Sequence, residues 1–223
     1  MKNLQEYIKE SLLDDFDTLD KNLNDSIEKE VKKWILDNYQ VTPSSLKILK
    51  RPNKDGKLIV NASHAIFNSD SKSLTNGMFV WGKIKDQFVC SRSFITSLEG
   101  APQYVGGFFH CSRCDSLKSL KGSPEKVGNS FYCNGCNSLK SLEGAPKEVD
   151  GSFCCDDCDN LKSLEGAPKE VSGGFYCYNC KSLKSLKGAP EKVGANFDCS
   201  RCNSLKSIDI PSTTKIKGKI IDK

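Results

Sequence analysis

Ten of the twelve cysteines in this 223-residue chain fall into five C-x2-C pairs. Successive pairs are separated by eighteen residues, as from Cys114 to Cys133, which fits the ligand spacing of zinc ribbons. A zinc site needs four ligands, so five pairs leave one over. Zinc knuckles usually carry Gly just after the second Cys, and here that position holds Asp115, Asn137, Asp159, Lys181 and Asn203. The competing reading is a ladder of buried thiols, since free Cys packs as a small hydrophobe. It is the reading favoured here, and no metal ligand or cofactor is assigned. Catalysis finds little purchase. The two histidines are His64 and His110. His110 adjoins Cys111, but alternation along a strand sends the two to opposite faces, so they do not form a nucleophile and base. No phosphate-binding loop or dinucleotide fingerprint is present. The acidic run Asp14, Asp15, Asp17 and Asp20 lacks the spacing and central Gly of a calcium loop. We therefore expect a protein that is not an enzyme.

What positions the cysteines is a repeat. Cys111, Cys133, Cys155, Cys177 and Cys199 are each 22 residues apart, and so are Cys114, Cys136, Cys158, Cys180 and Cys202. Leu98, Leu120, Leu142, Leu164 and Leu186 keep that step, as do the valines from Val105 to Val193 and the phenylalanines from Phe109 to Phe197. The unit reads S-L-x-G-[AS]-P-x-x-V-x-x-x-F-x-C-x-x-C-x-x-L-x. The Leu, Val and Phe positions recur as strictly as Cys, which a metal site does not require. A repeat also explains how a chain with only 37% hydrophobic residues can fold, because each unit need only cover its neighbours. The period lies in the range of leucine-rich repeats. The F-x-C segment predicts a strand with Phe and Cys inward, stacked in parallel on the next unit at about 4.8 Å. Gly and Pro in L-x-G-x-P turn the chain back, and the second Cys fits beneath the turn after the strand.

The flanks differ. Residues 1–40 hold ten acidic and six basic side chains, although the whole chain carries +5. Leu4, Tyr7, Ile8 and Leu12 follow helical spacing, and a second helix carries the stripe Ile27, Val31, Trp34 and Ile35. Asp25 reads as its N-cap, with Glu28 completing a capping box. Pro43 and the RPNKDG turn at 51–56 end the helical region, and short strands are expected at 58–60 and 78–81. A degenerate unit follows, in which Phe88 and Cys90 match Phe109 and Cys111 and Ser93 replaces the second Cys. After Ile208 the pattern decays into a lysine-rich tail around Ile216, Gly218 and Ile220 that suits a closing strand. No stretch approaches the roughly 18–20 apolar residues of a membrane span, and the first residues lack a signal core. A soluble, cytoplasmic protein without a membrane partner is expected.

Two sets of matched outward positions vary while the inward ones hardly do, and a third is lysine throughout. Between Phe and Cys stand His110, Tyr132, Cys154, Tyr176 and Asp198; after the first Cys stand Ser112, Asn134, Asp156, Tyr178 and Ser200. Both rows are expected side by side on the strand face, the surface by which solenoids take partners. His110, Tyr132, Asn134, Cys154, Asp156, Tyr176, Tyr178 and Asp198 are the candidate binding residues. The third set, Lys118, Lys140, Lys162, Lys184 and Lys206, forms a lysine ladder. It makes a nucleic-acid partner conceivable, but lysine is also the common solubilising residue of an exposed turn. At the turns, Lys121, Glu143, Glu165 and Lys187, then Glu125, Lys147, Lys169 and Glu191, then Lys126, Glu148, Glu170 and Lys192 predict opposite charges at the outer repeat junctions and like charges at the central one.

The run S-L-x-G-A-P-x-x-V-G-G-x-F-x-C resembles the leucine-rich-repeat proteins encoded by large bacteriophages, which often carry Asn where this chain has its second Cys. Residues 74–84, LTNGMFVWGKI, resemble the lead-in of the same proteins, and E-Y-I-K-E-S-L-L-D-D-F-D resembles a leader found on varied phage proteins. The resemblance implies a solenoid binding protein of phage origin and no family-wide activity. The expected architecture is α+β: a helical segment at 1–42, an irregular β-containing cap at 43–83, a right-handed leucine-rich-repeat-like solenoid at 84–210 and a capping strand at 211–223. The expected function is a protein-interaction module, acting in the host cytoplasm if the resemblance holds. A structural or virion-associated protein and a zinc-dependent nucleic-acid binder are the alternatives.

Overall fold

The computed structural model describes residues 21–49, 53, 55, 57–68 and 70–223. The first helical stretch, the leader and the acidic run lie outside the described residues, as does most of the turn at 51–56. Helix α1 (Lys21–Asn38) leads into β1 (Tyr39–Gln40), a 3-10 turn (Pro43–Ser45), β2 (Lys47–Ile48), β3 (Leu58–Ala62), β4 (Ala65–Phe67), β5 (Phe79–Ile84) and β6 (Phe88–Val89). Each later unit adds two strands of two residues: β7 (Tyr104–Val105) and β8 (Phe109–His110), β9 (Lys126–Val127) and β10 (Phe131–Tyr132), β11 (Glu148–Val149) and β12 (Phe153–Cys154), β13 (Glu170–Val171) and β14 (Phe175–Tyr176), β15 (Lys192–Val193) and β16 (Phe197–Asp198), and finally β17 (Lys215–Ile216) and β18 (Ile220–Ile221).

These strands make a parallel β-solenoid of about seven turns. It has two nine-stranded sheets, one ordered β1-β4-β6-β8-β10-β12-β14-β16-β18 and the other β2-β3-β5-β7-β9-β11-β13-β15-β17. The expected F-x-C strand is the first sheet; the segment ending in the repeated Val is a second sheet that the spacing alone did not announce. Register is direct, Phe131 opposite Phe109 and Phe153, and Val149 opposite Val127 and Val171. The sheets begin before residue 84, because β3 pairs in parallel with β5 and β4 with β6. The tail closes with a strand in each sheet, β17 on β15 and β18 on β16.

Two tight corners shape each turn. At L-x-G the glycine adopts a left-handed conformation, with φ of +87° at Gly144 and +88° at Gly166. A Cβ on Gly166 would stand 2.5 Å from the Glu143 backbone of the turn below, so only glycine fits there. Inside C-x-x-C the residue before the second Cys is also left-handed: Arg113, Gly135, Asp157, Asn179 and Arg201 all have φ between 54° and 69°. Leu117, Leu120, Val127, Phe131, Cys133 and Cys136, and their counterparts in the central turns, are fully buried or within 1% of it. The Phe rings stack into a column from Phe88 to Phe197 with centroids 5.0–5.4 Å apart.

The N-terminal end is sealed differently. Strands β1 and β2 pair antiparallel with β4 and β3 and so occupy the otherwise open edges. Helix α1 lays Ile27, Val31 and Ile35 into the core, as their spacing predicts, and Trp34 meets Phe79 edge-on at 5.7 Å. The Tyr39 hydroxyl donates to the Leu74 carbonyl at 2.7 Å. Asp25 is not the N-cap: α1 already runs from Lys21, so Asp25 sits inside it. Residues 21–24 contain no Gly or Pro to stop helical hydrogen bonding upstream of the capping signal.

The charge register is as the sequence predicts. Glu125 pairs with Lys147 at 3.5 Å, Lys126 with Glu148 at 3.2 Å, Glu165 with Lys187 at 2.8 Å, Lys169 with Glu191 at 3.9 Å and Glu170 with Lys192 at 2.5 Å. Lys121 differs, turning back to Glu99 at 3.9 Å. At the central junction Glu148 stands directly opposite Glu170 in the sheet, each held by a lysine on its far side. Such exposed pairs are screened by solvent, so they select register more than they stabilise.

Candidate functional site

The outward positions of the Phe-bearing sheet form a continuous row. Register places His110, Tyr132, Cys154, Tyr176 and Asp198 on adjacent strands in that order, all half-buried. Each is flanked on the inner face by a buried Phe and Cys, so the backbone that presents it is fixed by core packing. The His110 and Tyr132 rings meet edge-on at 4.9 Å. Burial lowers the pKa of His110, which favours its neutral form. The Cys154 thiol is pushed up to about 12, first by burial and then by the Asp156 carboxylate. It is therefore protonated at neutral pH and no nucleophile.

The second expected row does not lie beside the first as strand positions. The strand ends after two residues, and Ser112, Asn134, Asp156, Tyr178 and Ser200 open the turn that contains the left-handed residue. Ser112, Asp156 and Ser200 are buried, while Asn134 and Tyr178 are half-buried. Their polar atoms are largely used within the solenoid: Ser112 Oγ donates to Asn134 Oδ1 at 2.5 Å, and Ser200 Oγ donates to Asp198 Oδ1 at 2.7 Å. Burial raises the Asp156 carboxyl, opposed by its hydrogen bonds, including one from Tyr178, and reinforced by Asp157 and Asp198. The outward surface left beside these turns is thus the row from His110 to Asp198, bordered by Asn134 and Tyr178.

One feature escaped the sequence reading. Next to this row, the corner residues Arg113, Asp157, Asn179 and Lys181 help to line a polar groove of about 360 Å³. Asn179 Nδ2 donates to Asp157 Oδ1 at 2.6 Å and Lys181 Nζ to Asp159 Oδ2 at 2.8 Å, so its groups are partly tied to one another from turn to turn. A signal was available: three of the five residues just before the second Cys, Gly135, Asp157 and Asn179, are types that tolerate a left-handed backbone.

The cysteine columns have distinct surroundings. Cys111, Cys133, Cys155 and Cys177 are fully buried, and burial raises their thiol pKa well above the usual range. In the second column each thiol donates to the carbonyl of the first Cys one turn back. Cys136 reaches Cys111 O at 3.1 Å, Cys158 reaches Cys133 O at 3.3 Å and Cys180 reaches Cys155 O at 3.2 Å. In the degenerate unit the Ser93 hydroxyl donates instead within its own turn, to Cys90 O at 2.6 Å, a carbonyl that also accepts from the Cys114 thiol of the next turn at 3.1 Å. Among the described residues no three His, Cys, Asp or Glu side chains converge as metal ligands would. We expect purified protein to hold much less than one zinc per chain and its melting temperature to be unmoved by chelator. Metal analysis finding two or more tightly held zinc ions would overturn the thiol-ladder reading.

His64 lies apart from the row, its Nδ1 3.2 Å from the neighbouring Ser63 hydroxyl. No helix among the described residues is long and apolar enough to cross a membrane. No protein-family model matches the chain, and neither a curated protein nor a solved structure matches it.

Proposed function

We propose that this chain is a non-catalytic protein-interaction module whose partner docks on the outer face of the Phe-bearing sheet. The observation that carries the reading is the in-register row of His110, Tyr132, Cys154, Tyr176 and Asp198. Five half-buried side chains of four types are held on a backbone whose inward positions hardly vary. Tyr132, Tyr176 and the bordering Tyr178 offer large, rigid, amphipathic surfaces of the kind that dominate binding hot spots. The lone ring nitrogens and carboxylate along the row add polar selectivity rather than a reaction centre. The repeat motif's resemblance to phage-encoded leucine-rich-repeat proteins supports a phage factor acting in the host cytoplasm on a host or phage protein. We extend the leucine-rich-repeat-like assignment to this solenoid on the same ground, because its second Cys does for the turn what a ladder Asn would do, donating to a backbone carbonyl.

The test is capture of the partner from infected-cell extract, comparing the wild-type chain with Tyr176→Ala/Tyr178→Ala. Both tyrosines are only half-buried, so circular dichroism and melting temperature should stay near the wild type. Loss of two hot-spot aromatics is expected to weaken partner binding by at least about 2 kcal/mol, roughly 30-fold. Retention of the partner by the double variant, with loss on charge reversal of the lysine ladder, would show that a different face binds.

A further inference from the structure

The lysine ladder behaves unlike every other charged column on the solenoid. Lys118, Lys140, Lys162, Lys184 and Lys206 are all exposed. Backbone bonds stack their positions turn on turn, Lys118 N to Thr96 O, Lys162 N to Lys140 O and Lys184 N to Lys162 O, each at 3.1 Å. Their spacing is therefore that of neighbouring strands, about 4.8 Å. Among the described residues none of the five forms an ion pair. Lys121, Lys126, Lys147, Lys169, Lys187 and Lys192 each meet a carboxylate from an adjoining turn. The other charged columns mix signs from turn to turn, with like charges meeting at single junctions such as Glu148 and Glu170, whereas this column is lysine in all five units. Like charges directly opposite one another are destabilising in a sheet, and that repulsion is relieved when an anionic chain lies along them.

The flanks of the column suit such a chain. The Leu residues on either side of Lys118, Lys140, Lys162 and Lys184 are buried, and Ser119, Ser141, Ser163, Ser185 and Ser207 follow the five lysines in a parallel column. Serine hydroxyls beside lysine ammoniums are a common set of phosphate donors. Of the carboxylates within three residues of the lysines, Asp159 and Glu165 are neutralised by Lys181 and Lys187, Asp115 accepts from Asn137 and Asp209 from Ser207, so Asp115, Glu143 and Asp209 have no lysine partner among the described residues.

We propose that this column is a second, independent binding edge that takes the phosphodiester backbone of single-stranded nucleic acid. The column is straight, one lysine wide and about 19 Å long at strand spacing. A flexible single strand can follow it, whereas the phosphates of a rigid duplex wind away after a few contacts. No aromatic platform lies in the column, so recognition is electrostatic and independent of base sequence. The edge uses none of the residues of the protein-binding row and stands or falls separately.

Binding of the full chain to fluorescein-labelled oligothymidylate, followed by anisotropy across about 50–200 mM salt, tests it. Five phosphate contacts predict a log–log salt slope of about −3.5. The variant Lys140→Gln/Lys162→Gln/Lys184→Gln should flatten the slope to about −1.4 and weaken binding at low salt on the order of 100-fold. Lys147→Gln/Lys169→Gln/Lys187→Gln removes the same charge from paired columns and should change affinity by less than about threefold. The corresponding Lys→Arg triple at 140, 162 and 184 should keep the wild-type slope, and circular dichroism checks the fold of each. No binding at low salt, equal losses in the two Gln triples, or duplex bound as tightly as single strand would each overturn the proposal.

Discussion

Phe153→Ala is expected to lower the unfolding free energy by about 3–5 kcal/mol, the range for removing a buried aromatic side chain. The ring of Phe153 is fully buried at the centre of the column, 5.2 Å from Phe131 and 5.4 Å from Phe175, nearly parallel to both. Removing it leaves a void between two turns whose Val and Leu columns are fixed by the strands above and below, so the gap cannot close by local collapse. In a solenoid each turn is stabilised by its two neighbours, and the substitution weakens both interfaces of one turn at once. Denaturant titration followed by far-ultraviolet circular dichroism should show a lower midpoint and a broadened transition, as the two halves of the array uncouple. Phe153→Leu keeps most of the buried volume and should lose less than half as much. A loss below about 1 kcal/mol for the Ala variant would mean that the column is not packed as described.

That column was readable from the sequence because its signal is a period, and a period survives without any knowledge of strands. The same is true of the Val, Leu and Cys columns and of the charge pairs from Glu125–Lys147 to Glu170–Lys192. What the period does not carry is where each flat side begins and ends. The segment before Val149 reads as a charged turn, yet Glu148 and Val149 form a strand, because two residues are too few to display alternation. The same brevity misplaced Asp156. Alternation carried past Cys155 puts it outward on a strand, whereas the chain has already turned at the left-handed Asp157 and drawn Asp156 inward. At the other end, the capping signal at Asp25 was local and correct in form, but the helix continued upstream through residues that do not oppose it. Function is less legible for a related reason. The repeat constrains what faces the core, while the outward residues carry no such constraint and so no period to read.

The two thiols of one turn should respond oppositely to the same chemical change. Cys155→Ser places a hydroxyl in the fully buried first column, between Cys133 and Cys177. No backbone acceptor is bonded to that thiol, and an unpaired buried hydroxyl costs about 1–3 kcal/mol. Cys158→Ser puts the hydroxyl where the native thiol already donates, at the Cys133 carbonyl 3.3 Å away. A hydroxyl is already accommodated at the matching position of the degenerate unit, where Ser93 donates within its own turn to Cys90 O at 2.6 Å. Cys158→Ser should therefore fall within about 0.5 kcal/mol of the wild type, and Cys158→Ala, which leaves that carbonyl without its donor, should lose about 1–3 kcal/mol. Chemical denaturation of the three variants under reducing conditions orders them. If Cys158→Ser proved as damaging as Cys155→Ser, the second column would be held by something other than its bond to the carbonyl. A zinc thiolate would be the first alternative, because there the hydroxyl is a poor substitute at either position.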